Sequence, residues 1–322
     1  MRDSIPLNSP CHYFPFRKGI YEVVPGLQPL GTDFGNGKKD SNIFQIDQEF
    51  HSYHQNKETC RKEGIKKYVH FDEFNGDISQ KIVKFCLERL VKEYPKVFHL
   101  KNGKNNQKIF QNLLTKEELI FNKEFSLNSS HYLNAFDALA FQVQEDLAVW
   151  CLDFKSKRNW LSAIHLCAPN HWSPREKIGK DFRKVHAPVA NNEKIIRPAP
   201  SLVEAMVFKG PFVRFVWGLA TDRRLNHHPD PPKGEDQKEW RGRVFDPKNP
   251  TLFVRIERQT LFGFSKVGAS LFTIRTYFLD CKDLSKNDQQ KLTLAIKSMN
   301  EDEKKYKGLD RDFGSIINWL DQ

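Results

Sequence analysis

TLFVRIERQTLFGFSKVGASLFTIRTYFL, residues 251–279, holds two runs of β-branched and aromatic residues, 251–261 and 270–279, each long enough for a sheet strand. Strand side chains alternate between faces, so Leu252, Val254 and Ile256 share a face with Arg258, while Phe253, Arg255, Glu257, Gln259 and Leu261 share the other. In the second run Leu271, Thr273, Arg275 and Tyr277 lie opposite Phe272, Ile274 and Thr276. A third strand is predicted over 212–220, FVRFVWGLA, where Arg214 alternates with Phe212 and Val216. Each strand sets an arginine among apolar residues near its middle, and two readings stand. The arginines lie along apolar neighbours on a solvated face, or they floor a half-buried pocket where a guanidinium needs a carboxylate partner. Glu257, a propionate or a substrate carboxylate would each serve.

Upstream, DALAFQVQEDLAVWCLDF (137–154) alternates through Leu139, Phe141, Val143, Leu147 and Val149, and WLSAIHLCA (160–168) follows. Both read as strands, with 155–159, KSKRN, as the hairpin turn. Helices are expected between 168 and 212. Ser173-Pro174-Arg175-Glu176 has the N-cap, first-position proline and acidic third position of a helix start. That helix or helix pair should run to about His186 and stop at Pro188, and a short helix covers 201–208 before the third strand. A polar, Pro-rich loop fills 221–249. Two strands, helices, then three strands predict an α+β fold: a five-stranded antiparallel sheet with helices on one side. A PAS domain has this order.

The flanks read differently. Residues 1–60 are rich in Pro, Gly and aromatics and read as a non-repetitive arm. Ile78, Ile82, Cys86 and Leu90-Val91 predict a helix from Asp77 that Pro95 ends. A second helix is expected from Thr115, where Thr115 and Glu118 have capping-box spacing. The tail from Ser285 is charged and helical. The division is therefore an N-terminal arm and helical region over 1–135, a PAS-like core over 136–280 and a helical extension over 281–322.

Hydrophobic residues form 39% of the 322, with Phe alone occurring 26 times, so the chain can bury a core. Six dispersed cysteines without CxxC spacing do not form a disulfide framework. The first ten residues lack an apolar signal core, and no apolar run approaches a membrane span, so a cytoplasmic chain without membrane association is expected. The net charge of +11 raises the question of nucleic acid. Its lysines are scattered among Asn, Gln and acids, and no basic stripe or aromatic motif accompanies them. Positive charge also suits docking of an acidic electron-transfer partner or an anionic ligand. Neither GxxxxGK[ST], GxGxxG, GxSxG nor HExxH occurs.

Among eleven histidines, His227-His228 read as solvated in their Pro-rich loop and His165 as a structural strand residue. His186 ends the helical segment ahead of the third strand. A helix-end imidazole interacting with the dipole is one reading, and an axial ligand for iron is the other.

Several stretches together resemble the α subunit of haem-dependent oxidative N-demethylase. They are Val143-Gln144-Glu145-Asp146-Leu147, Trp172-Ser173-Pro174 through Gly179, His186-Ala187-Pro188-Val189, Arg255 to Leu261 and Leu271 to Tyr277, with Gly26-Leu27, Asp47 and Tyr53 matching the N-terminal arm. The resemblance implies a haem-binding PAS fold that demethylates a small secondary amine with O2. It makes His186 the ligand to haem b iron, and Arg214, Arg258 and Arg275 cofactor-binding residues. Glu257 and Arg255 become the catalytic pair. Electrons would come from NADPH through separate flavin and iron–sulfur proteins, since this chain has no cysteine cluster or dinucleotide fingerprint. The sequence departs from the family at Phe262-Gly263-Phe264-Ser265, where Arg-Leu-Pro is expected, and at Asn191. A non-catalytic haem or gas sensor is the alternative.

Overall fold

A computed structural model describes residues 5–36, 39–74 and 76–322. The N-terminal part carries β1 (Gln28–Pro29), α1 (Phe50–Gly64), β2 (Val69–Phe71), α2 (Gly76–Glu93), β3 (Phe98–Asn102), β4 (Lys108–Asn112) and β5 (Glu117–Phe121). The middle carries α3 (Ala135–Ala140), β6 (Asp146–Leu152), β7 (Asn159–His165), α4 (Phe182–His186), α5 (Glu193–Ile196), α6 (Ala199–Phe208) and β8 (Phe212–Ala220). Then come α7 (Gln237–Trp240), β9 (Phe253–Phe264), β10 (Ala269–Asp280), α8 (Lys286–Lys297), α9 (Glu301–Lys307) and α10 (Phe313–Leu320).

The fold is α+β as expected, but the main antiparallel sheet has seven strands, in the order β1-β8-β9-β10-β6-β7-β2. The five predicted strands form its centre. Short pieces of the N-terminal region, β1 and β2, add to β8 and β7, which would otherwise present open edges. A separate three-stranded sheet, β3-β4-β5, packs near α2.

The departures from expectation have local causes. Helix α1 lies within the predicted arm and just beyond it; its buried residues Phe50, Tyr53, Lys57 and Cys60 follow helical spacing, but a lysine among them hides the stripe. Thr115 starts no helix. Its Oγ1 accepts the Glu117 amide at 3.3 Å in a turn, and Leu119 and Phe121 then alternate inward as β5. The strand expected from 137 begins only at Asp146, because Asn134 caps α3 by accepting from the Asp137 amide. After Ser173 there is a single 3-10 turn, Pro174–Glu176, with no side-chain cap. Gly179, at φ 73°, turns the chain, and Asp181 caps α4 instead.

The two faces of the sheet differ in what covers them. One face receives α4, α5 and α6, whose Phe182, Ile195, Val203 and Met206 pack on Trp150, Ile164, Leu261 and Ile274. The opposite face is covered by two separate groups of elements. The 43–50 segment, α2 and α3 pack on Leu147, Val149 and Leu271, while Tyr13, Phe16, α8 and α10 pack on Trp217, Val254, Ile256 and Tyr277. Residues paired across antiparallel strands share a face. Arg214 opposite Gln259 and Val216 opposite Glu257 therefore lie on the α4–α6 face with Arg255, whereas Arg258 opposite Arg275 lies on the other.

Candidate functional site

The α4–α6 face brings four of the expected residues to one side: His186, Arg214, Arg255 and Glu257. Asp181 starts α4, and one turn later the His186 ring lies 4.1 Å from Phe182 and 6.5 Å from Trp150, centroid to centroid. Its Nδ1 is 2.8 Å from the Phe182 carbonyl. A carbonyl only accepts, so Nδ1 carries the hydrogen and Nε2 keeps a lone pair. Burial, with Arg214 and Lys177 nearby, lowers the His186 pKa to about 4, so the ring is neutral at physiological pH.

Arg214 donates weakly to the Val24 carbonyl at 3.4 Å, and its Nε is buried without a partner. Burial lowers its pKa to about 10 against the opposing charge of Glu257. Arg255 does not pair with Glu257. Its Nη2 donates to the Ala168 carbonyl at 2.7 Å, and its Nη1 donates to Leu225 O at 3.1 Å and approaches His227 Nδ1 at 3.4 Å. Its Nε, like Thr276 Oγ1 on the same face, is buried and unpaired. Glu257 Oε2 accepts from Gln259 Nε2 at 3.0 Å, and Oε1 has no hydrogen-bond partner among the described residues.

Sequence reasoning missed three contributors. His227 and His228 are 1% and 2% exposed, which corrects the solvated reading of that pair. Because arginine only donates, His227 Nδ1 accepts from Arg255, and Nε2 donates to Asp222 Oδ1 at 2.9 Å. The Pro-rich loop thus braces Arg255. Lys307 of α9 donates to the Trp217 carbonyl at 2.7 Å. Burial lowers its pKa to about 8, and the Glu257 charge opposes that shift. Only the order of burial and charge in three dimensions exposes these roles; a His-His pair before Pro carries no such signal.

The other two expected residues, Arg258 and Arg275, are fully buried on the opposite face. Arg258 grips Asp40 through Nε at 2.7 Å and through Nη2, and its Nη1 and Nη2 donate to the Ile43 and Asn42 carbonyls. Arg275 donates to Asp47 at 2.9 Å and to the Thr276 carbonyl at 2.7 Å, with its guanidinium 3.8 Å from the Tyr53 ring centre. Two arginines directly across a ladder repel. Asp40 and Asp47 neutralise them, which explains why the arm must lie on this face.

The site therefore joins a fixed, neutral imidazole with a free nitrogen to a sheet face of under-satisfied cations around one carboxylate. The family model for haem-dependent oxidative N-demethylase, alpha subunit-like, matches residues 36–316, and the chain belongs to that family. Among the described residues no helix is long and apolar enough to cross a membrane.

Proposed function

We propose that the α4–α6 face holds haem b, that His186 Nε2 would bind its iron, and that the chain is the oxygenase subunit of a multi-component enzyme that demethylates a small secondary amine. The observation carrying this reading is the geometry of His186. An imidazole whose Nδ1–H is tied to a backbone carbonyl, with Nε2 bare, has the hydrogen-bonding pattern of a metal-ligating histidine. The unpaired Nε atoms of Arg214 and Arg255 fit the second requirement, since buried donors without partners call for an anion such as a propionate. Arg258 and Arg275 are left out of the cofactor set, because Asp40 and Asp47 consume them on the far face. The PAS-like reading draws support from β6 and β7, the helices, then β8, β9 and β10, with the helices over one face.

When bound, the haem supplies the centre at which O2 is reduced. The chain's residues do the rest. A secondary amine is a cation at neutral pH, and the Glu257 carboxylate attracts it and accepts its proton at Oε1. Gln259 orients Glu257 through Oε2. Arg255, fixed by carbonyls and His227, keeps positive charge beside the carboxylate. NADPH would deliver electrons through separate flavin and iron–sulfur proteins.

The test is optical and catalytic. Wild-type protein loaded with haem should show a histidine-ligated Soret band that His186→Ala abolishes. With a supplied reductase it should consume O2 only when dimethylamine or a similar amine is added. An unchanged spectrum in His186→Ala would overturn the ligand assignment. Stable O2 binding without amine-dependent consumption would overturn the enzyme reading in favour of a gas sensor.

A further inference from the structure

At the end of the β6–β7 hairpin remote from its turn, Asp146, His165 and Cys167 bring a carboxylate oxygen, a ring nitrogen and a thiol sulfur within 4.8 Å of one another. They are 2%, 0% and 0% exposed. We propose that this cluster is a site for a divalent transition metal, zinc in the first instance, that uses none of the proposed haem-binding side chains.

Three independent features favour the assignment. His165 Nδ1 lies 3.8 Å from Cys167 Sγ. In a tetrahedral zinc site, with Zn–N about 2.1 Å and Zn–S about 2.3 Å, the corresponding ligand separation is about 3.6 Å. The pair therefore already stands at bite distance, and only Asp146 needs to close. Secondly, His165 has the outer partner that metal-bound histidines use. Its Nε2 lies 3.2 Å from Asp137 Oδ1, outside hydrogen-bond alignment, and is otherwise an orphan in the core. Asp137 is itself held by Arg61 at 2.7 Å and by the Leu133 amide at 2.8 Å. A carboxylate behind one ring nitrogen leaves the other to face the ion. Thirdly, Asp146 is fixed by the Cys167 and Ala168 amides, each at 2.8 Å, and each of its oxygens retains a lone pair.

Charge is the obvious objection, because the buried ammonium of Lys57 adjoins Asp146. That ammonium already donates to the Ala140, Val143 and Glu145 carbonyls. Asp146 balances it. Cys60, fully buried on α1, points its thiol at the Cys167 carbonyl at 3.6 Å and lies outside the cluster. The donor set of thiolate, imidazole and carboxylate suits zinc or iron(II) over magnesium or calcium. Its bound ion would brace Ala168, whose carbonyl holds Arg255.

Wild-type protein expressed with added zinc and purified without chelator should carry about one zinc per chain, counted by mass spectrometry apart from haem iron. Cobalt(II) should give a thiolate-to-cobalt charge-transfer band in the near ultraviolet. Cys167→Ser should abolish that band, and Asp137→Asn should weaken cobalt binding about 10–100-fold. If the cysteine variant does not fold, wild type alone decides: zinc should raise its urea midpoint and shield Cys167 from alkylation. Folded wild type with neither bound zinc, cobalt band nor zinc-dependent midpoint would overturn the proposal, as would an unaltered band in Cys167→Ser. None of these readouts uses haem.

Discussion

Removing Asp40 separates a structural arginine from a cofactor-binding one. In Asp40→Ala the Arg258 guanidinium keeps its bonds to the Ile43 and Asn42 carbonyls but loses both contacts to the carboxylate, while remaining 0% exposed. It also faces the Arg275 charge directly across the ladder. An uncompensated buried charge of this kind costs about 3–5 kcal/mol, a large share of the roughly 5–15 kcal/mol that holds a protein folded. Arg258→Met with Asp40→Leu removes both charges and should recover most of the loss. Arg214→Ala deletes one hydrogen bond of 3.4 Å and should cost only about 1 kcal/mol, while weakening haem retention. Urea unfolding of each haem-free variant, followed by tryptophan fluorescence, measures the first effect, and the Soret band of reconstituted protein measures the second. The reasoning fails if Asp40→Ala unfolds within about 1 kcal/mol of wild type, or if the double variant is as unstable as the single.

Four further outcomes follow from the structure. Burial raises the Glu145 pKa from 4.5 to about 7, so the folded state holds a proton that the unfolded state has released. Stability should therefore fall by about 3 kcal/mol as pH rises from 4.5 to 7, and Glu145→Gln should flatten urea midpoints across that window. His186, lowered to about 4 mainly by burial, should not compete with protons in haem binding until pH approaches 5, so an optical haem titration should be flat from pH 8 to about 5 with respect to this residue. Gly263→Ala should destabilise by about 1–3 kcal/mol, because the new Cβ would meet the Val207 carbonyl oxygen at 2.3 Å and force α6 off the sheet; unchanged thermal unfolding would refute this. Asn134→Ala should cost about 1 kcal/mol in the same assay, through the lost α3 cap.

The central strands were legible because their alternation is dense. The strand expected over 212–220 is β8 residue for residue, and Leu252 to Leu261 and Leu271 to Leu279 point as the period of two requires. The short strands that complete the sheet were not, since β1 and β2 span two and three residues and exist only because an edge is there to pair. Alternation also misled where a helix is buried on every side, as in α3, whose six residues are all buried and leave no polar stripe to mark a helical period. At the candidate site, residue type pointed to His186 and to arginine-bearing strands, but the face each arginine occupies says little until its partner is known. Asp40 and Asp47 lie 218 and 228 residues away in the chain. No local pattern couples a carboxylate to a guanidinium at that distance.

That separation bears on how the polypeptide comes together during synthesis. Asp40 leaves the ribosome 218 residues ahead of Arg258, an interval of about 10–40 s at ordinary elongation rates. Through that time Asp40 has no Arg258 to pair with and stays hydrated. Closure of the interior is thereby deferred until the last hairpin has emerged. Truncation just before β9 should leave a chain prone to aggregation rather than a smaller stable domain.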